Sequence, residues 1–246
     1  MEWNKKLNKA KEKKDDEYYT YYGDVVYIFK YIIDPKKYRI ILPFNDLQSN
    51  FRVFCKRQEL DYEVVYNNYK NHMYRKNDLV VSNPPFSLLR EIVDYYMDHN
   101  IKFLLIIPLN SISYKKIFEY WKQNRIHFIN YNLKHFLRPD GSDSPVECFL
   151  MTNLPLDEFW EEYWTSTKPT SKFDFLPDNK ISFNNLGQDI LKLMKDFKDS
   201  ECYFSIRILL TKFASYNRDK IIKVENNLKK IDGKTYFKRI LIKYEE

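Results

Sequence analysis

One short stretch constrains the fold more than any other: Asp78–Ser82, which runs directly into Asn83-Pro84-Pro85-Phe86. The apolar, β-branched run at 79–81 is typical of a strand that is buried on both faces in a parallel sheet. The two prolines cannot donate to a sheet ladder, so the strand ends there. Residues 87–97 then repeat apolar side chains at helical spacing. In open α/β folds ligands bind at the carboxyl ends of strands, so the sequence predicts a site at 83–86.

The residue types at this predicted site favour one kind of ligand. Asn83 offers a side-chain acceptor, and the carbonyl groups of Pro84 and Pro85 offer acceptors whose direction is restricted by the proline rings. Phe86 adds a flat face for a planar ring. Acceptors beside a stacking surface suit the exocyclic amino group of an aromatic base. The tetrapeptide alone is equally compatible with a strand-ending turn over a core phenylalanine.

The order of predicted elements indicates an α/β protein. Apolar strands alternate with helical patterns, and a late pair of strands flanks a loop rich in turn formers, 138–145. The sequence therefore predicts a doubly wound, mostly parallel sheet with an antiparallel edge hairpin. The predicted strands lie at 39–42, 61–66, 78–81, 102–109, 126–130 and 146–151.

The character of the chain changes after about residue 152, where prolines punctuate an aromatic, irregular region. We predict a basic lead at 1–17, a catalytic domain at 18–154 and a small carboxyl-terminal module at 155–246. Within the module, the pattern predicts a helix at 190–197 and strands at 203–210 and 235–244.

Composition narrows the function classes. The chain has only 4 glycines and no G-x-G loop of the usual nucleotide-binding kind. A net charge of +7 fits a polyanionic partner. The 3 cysteines lie far apart, and the 4 histidines show no metal-ligand spacing, so we expect a reducing compartment and no metal. No apolar run reaches about 18 residues, so we expect no membrane partner and a cytoplasmic protein.

Several segments together resemble the EcoRI-type adenine-specific DNA methyltransferases, a family that includes phage and restriction-modification enzymes. They stand in the family's order: Asp16–Thr20, Ile41–Asn45, Ser49–Phe51, Ser82–Ser87 and Asp232–Lys243. The resemblance implies a Rossmann-like class I methyltransferase fold. It also implies S-adenosylmethionine as cofactor, double-stranded DNA as partner, and methyl transfer to the 6-amino group of a flipped adenine. The module at 155–246 would then recognise the DNA target.

The resemblance also implies roles for individual residues. The residues expected to hold the target adenine are Asn83, Pro84, Pro85 and Phe86. Those expected to bind the cofactor are Tyr19 and Thr20 near its methionine end, Pro43, Phe44, Asn45 and Asp46 after the first strand, Asn71, and Ser82.

Other interpretations stay open. The same motif serves methylation of RNA adenine or of a protein glutamine amide. Asn45 and Asn71 stand where the family usually has acidic residues, which keeps open a catalytically inactive nucleic-acid-binding homologue. A run of aromatic residues at 159–164 and a basic cluster at 212–230 could contact nucleic acid, or could be an ordinary domain interface and a solvated face.

Overall fold

The structure of the chain is a computed structural model that describes residues 18–44, 49–66, 68–155, 173–176, 180–183, 201–205, 218–231 and 234–242. The chain divides into two compact units. The first comprises Met1–Ser111 and Gln123–Tyr163, and the second comprises Ile112–Lys122 and Trp164–Glu246. The predicted boundary at residue 154 stays a prediction.

The first unit contains seven strands and three helices among its described residues. The strands are β1 (Tyr19–Thr20), β2 (Arg39–Pro43), β3 (Tyr62–Val65), β4 (Asp78–Ser82), β5 (Lys102–Pro108), β6 (His127–Leu137) and β7 (Asp143–Thr152). The helices are α1 (Tyr22–Tyr27), which continues as a π-helical turn (Ile28–Ile32), α2 (Asn50–Arg57) and α3 (Leu89–Asp98). Short 3-10 turns lie at Pro35–Lys37, Tyr69–Asn71, Phe86–Leu88 and Leu109–Ser113.

The strands of this unit form one sheet in the order β1-β6-β7-β5-β4-β2-β3. Strands β3, β2, β4 and β5 are parallel, whereas β7 runs antiparallel to both β5 and β6. The predicted α/β class and mostly parallel sheet with an antiparallel hairpin are therefore confirmed. One detail differs: the two-residue strand β1 pairs with β6, Tyr19 opposite Leu137, so β6 is not the edge strand.

Burial explains why these segments form these elements. All five residues of β4 are buried, as expected for a central strand of a parallel sheet. Helix α3 buries one face, made of Leu89, Ile92, Val93, Tyr96 and Met97, which recur at helical spacing. The apolar stripe of α3 lies against the neighbouring strand β5, and the buried strands and this stripe together form part of the core.

The sheet reverses its strand order at β2. Strand β3 pairs with one edge of β2, and β4 pairs with the other edge. The connection after β2 and the connection to β4 therefore run to opposite sides of β2. Such a switch point opens a crevice at the carboxyl ends of the two strands. The Ser82 hydroxyl donates to the Pro43 carbonyl at 3.1 Å and joins the two strand ends there.

The second unit contains helix α4 (Lys115–Lys122) and a five-stranded sheet in the order β11-β12-β10-β9-β8. The Arg218 guanidinium lies 4.7 Å from the centre of the Trp121 indole, and the Lys122 ammonium donates to the Arg218 carbonyl. The strands are β8 (Phe173–Leu176), β9 (Lys180–Phe183), β10 (Glu201–Ser205), β11 (Ile221–Ile231) and β12 (Lys234–Ile242).

Two of these strands, β10 and β12, correspond to predicted strands, whereas β8, β9 and β11 were missed. The predicted helix at 190–197 lies outside the described residues. Of the helices that the structure describes, none is long and apolar enough to cross a membrane.

Candidate active site

The side-chain amide of Asn83 has a fixed orientation at the carboxyl end of β4. Its Nδ2 donates to the backbone carbonyl of Tyr18 at 2.9 Å, which directs Oδ1 away from that carbonyl. Oδ1 is buried and accepts no hydrogen bond from any residue that the structure describes. Burying an acceptor without a partner costs about 1–3 kcal/mol. Asn83 therefore holds an acceptor that a ligand donor would satisfy.

The two prolines supply one further acceptor beside Asn83. The Pro85 carbonyl accepts from the Leu88 N–H at 3.0 Å and closes the 3-10 turn Phe86–Leu88. This turn does not use the Pro84 carbonyl, which stays next to Asn83 in the chain. Both prolines are buried, so the backbone of this segment is fixed by packing as well as by the proline rings.

Three aromatic rings, those of Tyr18, Phe86 and Phe136, pack against one another beside these acceptors. The half-buried ring of Phe86 stacks with the ring of Tyr18, with 5.7 Å between centroids and 25° between planes. The buried ring of Phe136 meets the Tyr18 ring edge-on at 6.2 Å. The site thus offers hydrogen-bond acceptors and flat apolar faces, the combination that an amino-substituted aromatic base requires.

The amino-terminal segment is tied to this site through its backbone. Asn50 of α2 donates from Nδ2 to the Thr20 carbonyl at 2.8 Å. Thr20 is only 4% exposed, and its hydroxyl has no hydrogen-bond partner among the described residues. Tyr19 is half-buried next to it. The predicted cofactor residues Tyr19 and Thr20 therefore lie in the same segment as Tyr18, which binds Asn83.

Strand β2 ends in a strained residue. Pro43 is buried, and Phe44 has a φ of 64°, a left-handed conformation that costs a side-chain-bearing residue about 1–2 kcal/mol. The Phe44 ring contacts Tyr69 edge-on at 5.4 Å. Strain of this kind is concentrated at functional sites. The predicted cofactor residues Asn45 and Asp46 follow directly and lie outside the described residues.

Asn71 is not brought to this cluster by any contact among the described residues. It ends the 3-10 turn Tyr69–Asn71, is exposed, and donates its backbone N–H to the Asn68 carbonyl at 2.9 Å. Its neighbour Lys70 pairs with Glu91 of α3 at 2.7 Å. The role of Asn71 stays a prediction.

Ionisable groups lie on the hairpin next to β1. Asp143 accepts hydrogen bonds from His135 Nδ1 at 2.8 Å and from the Tyr21 hydroxyl at 2.9 Å. These bonds lower the pKa of Asp143, the bond from His135 most strongly. The Asn83 side chain itself bonds to a neutral backbone carbonyl, that of Tyr18. Within the described residues, no group of three or more His, Cys, Asp or Glu side chains could hold a metal ion.

Sequence reasoning missed two residues of this site. Tyr18 could have been found, because it directly precedes the predicted pair Tyr19 and Thr20. Asn50 lies in the segment Ser49–Phe51 that carries part of the resemblance, but its role gave no signal, because it donates to a backbone carbonyl distant in sequence.

Comparison with known proteins finds similar sequences, and the region that matches a family model includes the Asn83–Phe86 segment. The family model described as "Adenine-specific methyltransferase EcoRI" matches residues 70–143. The type II methyltransferase M.EcoRI of Escherichia coli is 35% identical over 101 residues, which cover 33% of this chain and 31% of that protein. The type II methyltransferase M.MpnI of Mycoplasma pneumoniae is 24% identical over 158 residues, half of each chain. The resemblance drawn from the sequence is confirmed.

The matches are partial. The chain spans about a third to a half of the length of these two relatives. Among solved structures, the 23S rRNA methyltransferase ErmE has a TM-score of 0.40 at 8% identity, over 57% of this chain and 70% of that one. A dimethyladenosine transferase from Plasmodium falciparum has a TM-score of 0.33 at 12% identity, over 55% and 61%.

Proposed function

We propose that this chain is an adenine-specific DNA methyltransferase that transfers a methyl group from S-adenosylmethionine to the 6-amino group of a flipped adenine in double-stranded DNA. One observation carries the proposal: the oriented Asn83 amide, with a buried and unpartnered acceptor, lies in the segment that matches the family. The names of the relatives, type II methyltransferases, support DNA as the substrate.

The residues at the switch point fit the cofactor. The unpartnered hydroxyl of buried Thr20 is a group that a polar ligand would satisfy. Pro43 and Phe44 end β2 at the crevice, and Ser82 fixes the position of Pro43 through its hydrogen bond. When bound, S-adenosylmethionine supplies a methyl group carried on a positively charged sulfur. We assign its binding to Tyr19, Thr20, Pro43, Phe44 and Ser82, with Asn45, Asp46 and Asn71 as further contacts.

The protein's part in the chemistry is to position and polarise the amine. Asn83 Oδ1 and the Pro84 carbonyl accept hydrogen bonds from the two amino protons, which draws the nitrogen lone pair out of conjugation with the ring. The nitrogen becomes more nucleophilic without a charged base. Phe86 stacks on the ring of the base, which has to leave the duplex because its amino group is otherwise inaccessible. Catalysis then rests on orientation and fixed dipoles.

We assign DNA target recognition to residues 155–246. The basic cluster of this region supports the assignment through the general affinity of Lys and Arg for phosphate. Arg218 is an exception within that cluster, because it is buried and its guanidinium lies over Trp121. We therefore expect phosphate contacts from the cluster's other members.

The decisive experiment compares wild type with Asn83→Ala in cells that lack adenine methylation, followed by sequencing of modified bases. We expect wild type to methylate adenine within one recurrent sequence, and Asn83→Ala to reduce this at least about 100-fold, a size typical for loss of one polarising group. The matched control is Asn77→Ala, because Asn77 is exposed in the turn before β4.

Two outcomes would count against the proposal. Methylation that persists in Asn83→Ala would remove Asn83 from the mechanism. If wild type leaves DNA unmethylated, the purified chain is offered labelled S-adenosylmethionine with duplex DNA, RNA and protein. Label in RNA or protein would change the substrate class, and cofactor binding without any transfer would favour an inactive homologue.

A further inference from the structure

We infer that Tyr18 is the second wall of a two-sided aromatic clamp, in which the target base stacks between the rings of Tyr18 and Phe86. The inference rests on the proposed function and deepens it, because it adds a residue that holds the base. The observation behind it is the near-parallel stack of these two rings, 5.7 Å between centroids and 25° between planes.

The geometry of the two rings suits the insertion of a planar base. Aromatic rings in stacking contact lie about 3.5 Å apart. Two rings that hold one base between them must therefore have their planes about 7 Å apart. The centroids now lie 5.7 Å apart, and the planes are inclined by only 25°. Because the two rings already stack on each other, insertion of a base requires them to move apart by about 3.5 Å, the thickness of one aromatic layer. In the base-free protein the two rings stack on each other.

The backbone of Tyr18 connects the clamp to the polarising amide. The Tyr18 carbonyl accepts the Asn83 Nδ2 hydrogen bond at 2.9 Å, so the stacking ring and the oriented amide are held by the same residue. Asn83 Oδ1, the acceptor left for the base, thus belongs to an amide that is bound to the same residue as the stacking ring. A base that enters the clamp would meet its acceptor without any rearrangement of Asn83.

The Tyr18 ring is also supported from behind. The edge of buried Phe136 contacts it at 6.2 Å, and Phe136 itself pairs with Thr20 between β6 and β1. Asn50 holds the Thr20 carbonyl on the other side of the segment. A ring held in this way can stack on a base with little loss of conformational freedom. Tyr18 contacts the described residues through its ring and its carbonyl, so the ring, not the hydroxyl, is expected to matter.

A different role would predict the opposite effect of removing the ring. If Tyr18 only covered Phe86 in the free protein and had to leave before the base entered, loss of the ring would make base binding easier. The two roles are therefore separated by the sign of the change in base binding.

The test uses the full chain and the duplex sequence that the cellular experiment identifies, with 2-aminopurine in place of the target adenine. Stacking quenches 2-aminopurine fluorescence, so the flipped base reports directly on the clamp. We expect Tyr18→Leu to brighten the bound base and to lower kcat/KM on the natural duplex about 5- to 100-fold, the worth of one base–aromatic stack. Tyr18→Phe should restore quenching and most of kcat/KM.

Matched controls separate stacking from folding. Tyr31→Leu changes a tyrosine that is 41% exposed on the turn after α1, and it should leave both signals unchanged. Cofactor binding by calorimetry confirms that each variant is folded, and Tyr18→Met replaces Tyr18→Leu if the latter fails this check. If Tyr18→Leu shows an equal or increased kcat/KM and unchanged quenching, the proposed clamp is wrong. The proposed function would still stand in that case, provided that wild type methylates DNA and that this methylation depends on Asn83.

Discussion

Asn50 and Asn83 each hold the amino-terminal segment through a backbone carbonyl. Asn50 binds the carbonyl of Thr20, and Asn83 binds that of Tyr18. Because both bonds end on main-chain atoms, the segment at 18–20 is positioned largely independently of its own side chains. Asn50 is therefore a positioning residue, since its effect on the site passes through Thr20.

This arrangement predicts the effect of Asn50→Ala. Loss of one hydrogen bond costs about 1 kcal/mol, but Ala is a better helix former than Asn at the start of α2, so the free energy of unfolding should change by less than about 1 kcal/mol. Under the proposed function, methyl transfer should fall about tenfold, because a loosened segment would place both the cofactor and the Asn83 amide less accurately. Urea unfolding and single-turnover rates measure the two effects.

The control for this variant is Asn77→Ala, which removes an exposed asparagine away from the segment. A parallel loss of stability and activity in Asn50→Ala would mean that Asn50 serves folding alone.

Buried thiols predict how stability depends on pH. Burial raises the pKa of Cys55 to about 12 and that of Cys148 further, from an ordinary value near 9. In the unfolded chain these thiols ionise near pH 9, whereas in the folded protein they stay neutral. The two neutral thiols therefore contribute fully to the free energy of unfolding below about pH 9. This contribution is lost as the pH rises from there towards the pKa values of the folded protein, by up to about 1.4 kcal/mol per pH unit for each thiol.

We therefore expect the free energy of unfolding in urea to be nearly constant from pH 7 to 8.5 and to fall by at least about 1 kcal/mol by pH 10. Cys55→Ala should be less stable at neutral pH because of the cavity, yet should show a shallower decline above pH 9. An equally steep decline in this variant would show that other groups are responsible.

At the scale of single residues, the sequence indicated local geometry only where the signal is local. The end of the strand before Asn83 and the turn at Phe86 could be predicted, because two prolines after an apolar run fix the direction of the chain, whereas the role of these residues in binding stays a prediction. The engagement of the Pro85 carbonyl by Leu88 could not, because any residue can supply a backbone donor. The stack of Tyr18 on Phe86 depends on strand pairing between distant segments.

At the scale of elements, strands of the first sheet were predicted well because they are short apolar runs that end in proline or polar residues. Strand β6 is the exception, since it continues to Leu137 and not only to 130. The extension mixes buried Leu133 and Phe136 with exposed Lys134 and His135, so it lacks the continuous apolar run of a strand that is buried on both faces. The hairpin loop is correspondingly shorter than predicted, because β7 already begins at Asp143.

The two glycines that the structure describes predict opposite effects of the same substitution. Gly141 in the hairpin loop has a φ of 82°, and a Cβ added there would meet no atom within 4 Å. Gly141→Ala should therefore cost about 1 kcal/mol from backbone strain alone.

Gly23 lies in α1, where an added Cβ also meets nothing within 4 Å. Gly23→Ala should stabilise the protein by about 0.5–1 kcal/mol through helix propensity.

Urea unfolding measures the free energy of unfolding of both variants, provided that its dependence on urea concentration has the same slope as in wild type. Each variant serves as the control for the other. A stabilising effect of Gly141→Ala would show that the loop adopts a different turn in solution.

At the scale of the whole molecule, alternating strands and helices determined the α/β class, and right-handed crossovers then leave few arrangements of a parallel sheet. The sequence could not show that β1 extends the sheet beyond β6, because a two-residue strand carries no periodicity. It also missed β8, β9 and β11 of the second unit, where strands of mixed polarity resemble loops. Attraction to a polyanionic partner depends on the net charge of the whole chain, which can be counted from the sequence.

The formal net charge of +7 predicts how DNA binding responds to salt. Each phosphate that a Lys or Arg neutralises releases a condensed counterion, so the logarithm of the association constant falls linearly with the logarithm of salt concentration. For a chain that contacts several phosphates, we expect affinity for a duplex without the target sequence to fall at least about tenfold between 50 and 200 mM salt. Fluorescence anisotropy of a labelled 20-base-pair duplex measures this.

The same titration distinguishes phosphate binding from base recognition. Duplex with the target sequence should bind more tightly at every salt concentration but with a similar slope, because base contacts and stacking between Tyr18 and Phe86 release no counterions. Binding of S-adenosylmethionine, measured in the same buffers, is the control and should change far less. Salt-independent affinity for both duplexes would contradict a phosphate-binding surface, and it would leave the positive charge as an ordinary solvated face.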